Sequence, residues 1–452
     1  MAFVAESPST CVEDARSLFL AGRYYDFLAS IDRCPQTSAE LAPQISLLAV
    51  KALSRTGRLR ESLERSMPLV DPERVGLDLA VHALLQRSVI EGALGNQNGV
   101  ASSLDDASRL VHRSDDQELG FELHIHQALH AWTKRDFAAT EALARSAMSS
   151  TEPASLAVAG QFLGFVAASR GRYMEQIAVL ENALAELDSL PQRDVWIEAS
   201  LLQNISGIVC NMYLPAVARR MSDRAESIEW TAEMTVPRYH ILRSLAYFRS
   251  LGSDPFLPFE LLDRASAIAP TDPWRLVSRL DRIFLIQEMS GDRIVGDFDA
   301  DAEIRRAEEI ANTMDWAATD GESRMGLLLL AELIAKNRPS DAEAFLDRYR
   351  CFQRSMSPLL MGRSDPRWTA TENFVEGTVV AANGNKQRGI ELIEAAFAFW
   401  DDVGYSWRAT RAAIKLYELS GEERHIDWAF RESRRYPYSW LSDAVSRAGH
   451  RG

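Results

Sequence analysis

Leu163-Gly164-Phe165-Val166-Ala167-Ala168-Ser169-Arg170-Gly171-Arg172-Tyr173, followed ten residues later by Ala183, is the stretch from which the fold can be read. On both sides of Gly171 apolar residues recur at three- and four-residue steps, the period of an α-helix. Gly171 breaks the pattern where a helix end favours a left-handed residue. Gly164 lies seven residues before the break and Ala183 twelve after it. Small residues at those places let two antiparallel helices approach closely, and Tyr173, two residues past the turn, can wedge between them. The stretch predicts a helical hairpin.

The same spacing recurs outward. It holds in Ala128 … Arg135-Asp136-Phe137 … Ala147 and in Ala15 … Gly22-Arg23-Tyr24 … Cys34. It holds again in Gly377 … Gly384-Asn385 … Ala396, where Lys386 replaces the aromatic. Breaks fall near Gly22, Gly57, Gly95, Arg135, Gly171, Asn211, Gly252, Gly291, Asn337, Gly384 and Gly421, at intervals of about 40 residues. Pro35, Pro72, Pro153, Pro191, Pro270 and Pro437 mark the far ends of second helices, because proline cannot continue a helix interior. Alternating strand patterns do not recur. The expected fold is all-α, an α-solenoid of about eleven stacked hairpins, each burying its apolar face on its neighbours.

This pattern resembles the tetratricopeptide repeat, a two-helix unit of about 34 residues with small and aromatic residues at fixed places. The spacing here is longer, from 35 to 47 residues. No Gly/Ser/Pro-rich linker divides the chain, so residues 1–452 read as a single TPR-like superhelix with weaker stretches at 291–323 and 355–367.

A second resemblance lies near the C-terminus. Ala395-Ala396-Phe397-Ala398-Phe399-Trp400 leads to Val403-Gly404-Tyr405-Ser406-Trp407-Arg408-Ala409. Glu418-Leu419-Ser420-Gly421 and Tyr436-Pro437-Tyr438-Ser439-Trp440-Leu441 follow. Together they resemble the end of the helical-repeat sensor region of bacterial LuxR-type and MalT-like transcription regulators. Those relatives usually continue into a helix-turn-helix domain. This sequence stops eleven residues after Leu441, with only Arg447, His450 and Arg451 as basic or imidazole side chains. The resemblance therefore implies the sensing or interaction half of such a regulator, and direct nucleic-acid binding is not expected.

Charge agrees with that expectation. Lys and Arg total 50 against 64 Asp and Glu, a formal charge of −14, which disfavours general binding to phosphate backbones. No apolar run approaches the roughly 20 residues of a membrane helix, and MAFVAESPST shows no secretory pattern. Cys11, Cys34, Cys210 and Cys351 form no CxxC, so they read as free thiols of a cytoplasmic protein.

Chemical motifs are few. Glu122, His126 and His130 are spaced four apart on one helix face, as zinc ligands can be, but no HExxH occurs and the ordinary reading is a polar helix surface. Asp297, Asp299, Asp301 and Glu308 follow the spacing of a calcium loop, yet Ala302 stands where the sharp turn needs glycine. The simpler reading is that Asp299 or Asp301 caps a helix through Ile304 to Met314. Phosphate-loop and nucleophile motifs are missing. Neither enzymatic activity nor a cofactor is expected. Arg219-Arg220 with Arg224, Arg305-Arg306, and Arg431 with Arg434 and Arg435 read as solvated helix faces, or else as sites for an acidic peptide.

The expected function is that of an interaction module that binds a partner protein or peptide in a concave groove. Repeat geometry puts Ile125, Leu129 and Trp132 of one first helix, and Gln161 and Phe165 of the next, on that groove. The alternative expectation is a small-molecule effector sensor, as the MalT-like resemblance implies.

Overall fold

The structure, a computed structural model, describes residues 8–33, 42–251, 256–289, 299–314, 323–355, 366–435 and 440–449. Among these residues there are 24 α-helices, two short 3-10 helices and no strand. The chain is an α-helical repeat protein, as its three- and four-residue periodicity predicts.

The helices follow one another as hairpins. In the first half they are α1 (Pro8–Leu20) with α2 (Tyr24–Arg33), α3 (Ala42–Arg55) with α4 (Leu59–Ser66), then the single-turn α5 (Pro72–Val75). Next come α6 (Leu77–Ala93) with α7 (Gln97–Val111), α8 (Gln117–Thr133) with α9 (Phe137–Ala147), and α10 (Pro153–Ser169) with α11 (Tyr173–Asp188). The second half has α12 (Val195–Met212) with α13 (Pro215–Glu226), α14 (Thr235–Ser250) with α15 (Leu257–Ile268), and α16 (Asp272–Met289) with α17 (Ala300–Thr313). It ends with α18 (Ser323–Ile334) and α19 (Pro339–Ser355), α20 (Pro366–Ala382) and α21 (Lys386–Asp402), α22 (Ser406–Ser420) and α23 (Glu423–Ser433), and α24 (Trp440–Gly449).

The turns show why glycine recurs at them. Gly22 has φ 75°, its N–H donates to the Phe19 carbonyl, and the next N–H, of Arg23, donates to Leu18. This pair of bonds satisfies carbonyls that a helix end otherwise leaves open. Gly57, Gly95 and Gly384 repeat it, and Arg135 does so at φ 62° without being glycine. Asn96, Asp136 and Asn385 then cap the second helices through their side-chain oxygens. Asn211 corrects the expected turn of the sixth hairpin. The left-handed residue is Tyr213, at φ 48°, and Asn211 lies inside α12 with its amide turned to other use. Gly252 and Gly291 lie outside the described residues, as do Cys34, residues 291–298 and 315–322 of the first weaker stretch and 356–365 of the second.

Small residues bring the hairpins together as their spacing predicts. Ala15, Ala128, Ala147, Ala183 and Ala396 are all buried. The closest approach is between α20 and α21, where a Cβ on Gly377 would stand 2.7 Å from an Ile393 side-chain carbon and 2.8 Å from the Gly389 carbonyl. Tyr24 and Tyr173 are buried wedges, whereas Phe137 is partly buried against Trp132.

The sequence suggests one continuous solenoid; residue contacts group the chain into two compact units. One is Met1–Ala167, Met174–Leu201 and Ile228–Met234, and the other is Ala168–Tyr173, Leu202–Ser227 and Thr235–Gly452. No helix among the described residues is long and apolar enough to cross a membrane.

Candidate functional site

In both units the first helices of the hairpins carry charged side chains on faces that are otherwise apolar. The second unit shows the denser set. α16 buries Leu280, Ile283 and Phe284, and among them Asp281, which is fully buried. Such a carboxylate must be hydrogen-bonded or it is strongly destabilising. Asp281 accepts from Arg243 Nε at 2.6 Å and from the Tyr247 hydroxyl at 2.6 Å, both on α14. Burial and the Asp281 charge push the Tyr247 phenol well above its usual range. The Tyr247 ring stacks on Trp407 of α22, with centroids 5.7 Å apart and planes at 21°.

One turn along α22, Arg411 donates to Glu288 of α16 at 3.0 Å and to Glu332 of α18. Its guanidinium lies 4.5 Å from the Phe284 ring centroid. Burial works against its charge, but Glu332 and Glu288 outweigh that and hold it above the ordinary guanidinium range.

Arg408 is different. Its Nε donates to Asn211 Oδ1 of α12 at 2.6 Å, and its guanidinium carbon lies 4.8 Å from the Trp407 ring centroid and 5.7 Å from that of Trp400. The Asn211 amide nitrogen donates to the Gly207 carbonyl at 2.9 Å, which fixes the side chain with its oxygen toward Arg408. Among the described residues no carboxylate pairs with Arg408, and neither of its Nη atoms makes a hydrogen bond. Burial lowers its affinity for the proton, yet a guanidinium stays charged at any physiological pH. Cys210 lies beside it, its thiol pushed up by burial.

The first unit closes its corresponding arginine in a pair. Arg55, at the end of α3, meets Asp194 in two hydrogen bonds, at 3.2 and 2.9 Å, and donates to the Tyr24 hydroxyl at 2.7 Å. Phe19, Tyr24 and Trp196 surround the guanidinium at 4.9 to 5.7 Å. Burial pushes the Tyr24 phenol up to about 12. Nearby, Glu122 of α8 meets His82 Nδ1 of α6 at 2.6 Å, and burial lowers the pKa of Lys51.

The residues singled out from sequence lie elsewhere. Ile125 is buried in a hydrophobic cluster with Ala128, Ala144, Ala147, Ala159 and Phe162. Leu129, Trp132 and Phe165 pack against that cluster, and Trp132 stacks on Phe165 with centroids 5.3 Å apart. Gln161 is partly buried on α10. The spacing of Glu122, His126 and His130 does not bring them to one point. Glu122 turns to His82, a partner 40 residues away that helix spacing cannot reveal. His126 Nδ1 is buried without a hydrogen bond, and burial pulls that imidazole down to about 4. Among the described residues no three His, Cys, Asp or Glu side chains gather as metal ligands. Asp299 caps α17 through the Ala302 N–H at 2.9 Å. Arg305, Arg306 and Arg435 are exposed and pair with nearby Asp299, Glu303 and Glu432.

Sequence reading missed Arg243, Asp281, Glu288, Glu332, Arg408 and Arg411. A signal for them exists. Asp281 falls on the apolar side of its helix, and Arg408 and Arg411 sit three apart in a segment whose neighbours Trp407, Ala409, Ala412 and Ala413 are buried.

No protein-family model matches the sequence, and no curated protein matches it. In structure, 54 solved chains match. One is the crystal structure of a Rap protein complexed with competence and sporulation factor. It is 9% identical, with a TM-score of 0.52, and the match covers 82% of this chain and 99% of that one. At that identity the likeness concerns the fold.

Proposed function

We propose that this chain is a non-enzymatic interaction scaffold that holds an extended peptide, or an extended segment of a partner protein, against the first helices of its second unit. The observation that carries the reading is the set of charged and aromatic side chains gathered from α12, α14, α16, α18 and α22. There Arg, Asp and Glu side chains alternate with the faces of Tyr247, Phe284 and Trp407. Packing alone does not call for such a set, because apolar residues of similar volume stabilise a helix interface as well or better. Rigid aromatic faces beside oriented charges are what peptide recognition uses. The structurally similar Rap protein, solved in complex with competence and sporulation factor, supports the same reading by analogy of fold.

A place in bacterial transcription regulation is the finer part of the proposal. It rests on the resemblance of residues 395–441 to LuxR-type and MalT-like regulators. The cytoplasm as its setting rests on Cys210 and Cys351 being free thiols.

The test is selection of a random peptide library on the immobilised full chain, followed by hydrogen exchange of the complex with an enriched peptide. Exchange should slow in α14, α16 and α22. Enrichment of no peptide, or protection confined to the second helices of the hairpins, overturns the reading.

A further inference from the structure

Arg408 is a partly buried cation in a set where the other charges described have partners of opposite sign. Arg243 has Asp281, and Arg411 has both Glu288 and Glu332. Arg408 has the neutral oxygen of Asn211 and two indole faces. Arg411 does not relieve it, since like charge one turn away opposes it, and Glu332 is already engaged.

A guanidinium presents its Nη hydrogens in a fixed fork that matches the two oxygens of a carboxylate. In Arg408 Nε is used and that fork is open. The indoles of Trp400 and Trp407 lie against the guanidinium and Asn211 holds its Nε, so less side-chain freedom is lost when a ligand is bound. Trp400 is itself buried, and its Nε1 has no acceptor among the described residues. The folded chain thus keeps a half-buried positive charge with no carboxylate beside it among the described residues, an arrangement a ligand of opposite charge relieves.

We propose that Arg408 is the anchor for a carboxylate of the bound peptide, a side-chain Asp or Glu or the C-terminal carboxyl, taken bidentately through its two Nη groups. The inference rests on the peptide-binding reading above and names the chemistry that the peptide must carry.

The experiment uses the full chain and the peptides enriched by the library selection, with binding read by fluorescence anisotropy. Each peptide is compared with forms in which one acid is changed to its amide, Asp to Asn, Glu to Gln, or the C-terminus to carboxamide. One of these changes should weaken binding to the natural chain tenfold or more, in the range of a charge-assisted pair. The Arg408→Gln variant should lose the same factor for the acid form and no longer distinguish acid from amide. Arg408→Lys should recover part of the affinity. If every amide form binds the natural chain as tightly as its parent, the proposal fails while the peptide reading stands. That comparison needs no folded variant.

If the library yields no peptide, the peptide reading fails, and succinate and inorganic phosphate are titrated against tryptophan fluorescence. A saturable change lost in Arg408→Gln then makes the site one for free small anions and overturns the peptide source. No change with either anion overturns the anion site altogether.

Discussion

Arg55 in the first unit and Arg408 in the second are the same residue in nearly the same cage, and they end in different chemistry. Both guanidiniums lie over aromatic rings, Arg55 over Phe19, Tyr24 and Trp196, Arg408 over Trp400 and Trp407. Arg55 also has the Asp194 carboxylate in a double hydrogen bond, whereas Arg408 has only an amide oxygen. The first arrangement is complete and acts as a tie between α3 and the start of α12. The second is stable enough to fold and incomplete in charge. Aromatic walls orient a cation, but the counter-charge decides whether it serves the fold or waits for a ligand.

The comparison breaks most readily at Asp194. Its side chain also caps α12, accepting from the Trp196 N–H at 3.0 Å. Asp194→Ala should destabilise the chain by about 3–4 kcal/mol, because it strands the Arg55 charge and removes the cap. Urea unfolding measures it, and a loss under about 1 kcal/mol would mean that Arg55 is no more bound to its partner than Arg408 is.

Acid should act on the first unit next. His126 takes its proton near 4 when folded and near the ordinary 6.5 when unfolded, because burial disfavours the imidazolium. Below 6.5 the unfolded chain therefore binds more protons. Stability is full above that pH and falls as pH drops toward 4, by up to about 3 kcal/mol. Stepwise urea titrations from pH 7 to 4 should show this limb, and His126→Gln should flatten it. An unchanged limb in that variant removes His126 as its cause.

Asn211→Ala should cost about 1–2 kcal/mol, the loss of one acceptor for a charged donor. It should leave acid sensitivity unchanged. Calorimetric melting checks both, and a loss as large as that of Asp194→Ala would put the two arginines in one class.

The smallest effect sharpens the comparison furthest. Arg408→Met should change stability by less than about 1 kcal/mol in either direction, since it removes a half-buried charge that has no counter-charge among the described residues, along with its ring contacts. Arg55→Met, which leaves Asp194 without its cation, should lose clearly more. Equal losses in the two variants would show that Arg408 is structural.

How much of this was legible varies with the kind of feature. The hairpins were, because each depends on residues close in sequence. Gly22, Gly57, Gly95, Gly171, Gly384 and Gly421 all take the left-handed conformation their positions predict. Asn211 shows where the ruler slips. Asparagine tolerates a helix-ending conformation, but a side chain with an amide is equally suited to hold a cation, and Tyr213 took the turn. The groove candidates Ile125, Leu129, Trp132, Gln161 and Phe165 rest on helical spacing, and spacing alone does not tell a face turned to a neighbouring helix from a face turned to a groove.

By itself, then, the sequence determined the secondary structure, the hairpin pairing and the close α20–α21 contact at Gly377. These follow from local backbone preference and from side-chain size at fixed separations. Only the tertiary structure decided which charges are complete. Arg55 and Asp194 are 139 positions apart, and Arg408 and Asn211 are 197 apart. Ion pairing depends on distance and desolvation in space, which no periodicity along the chain encodes.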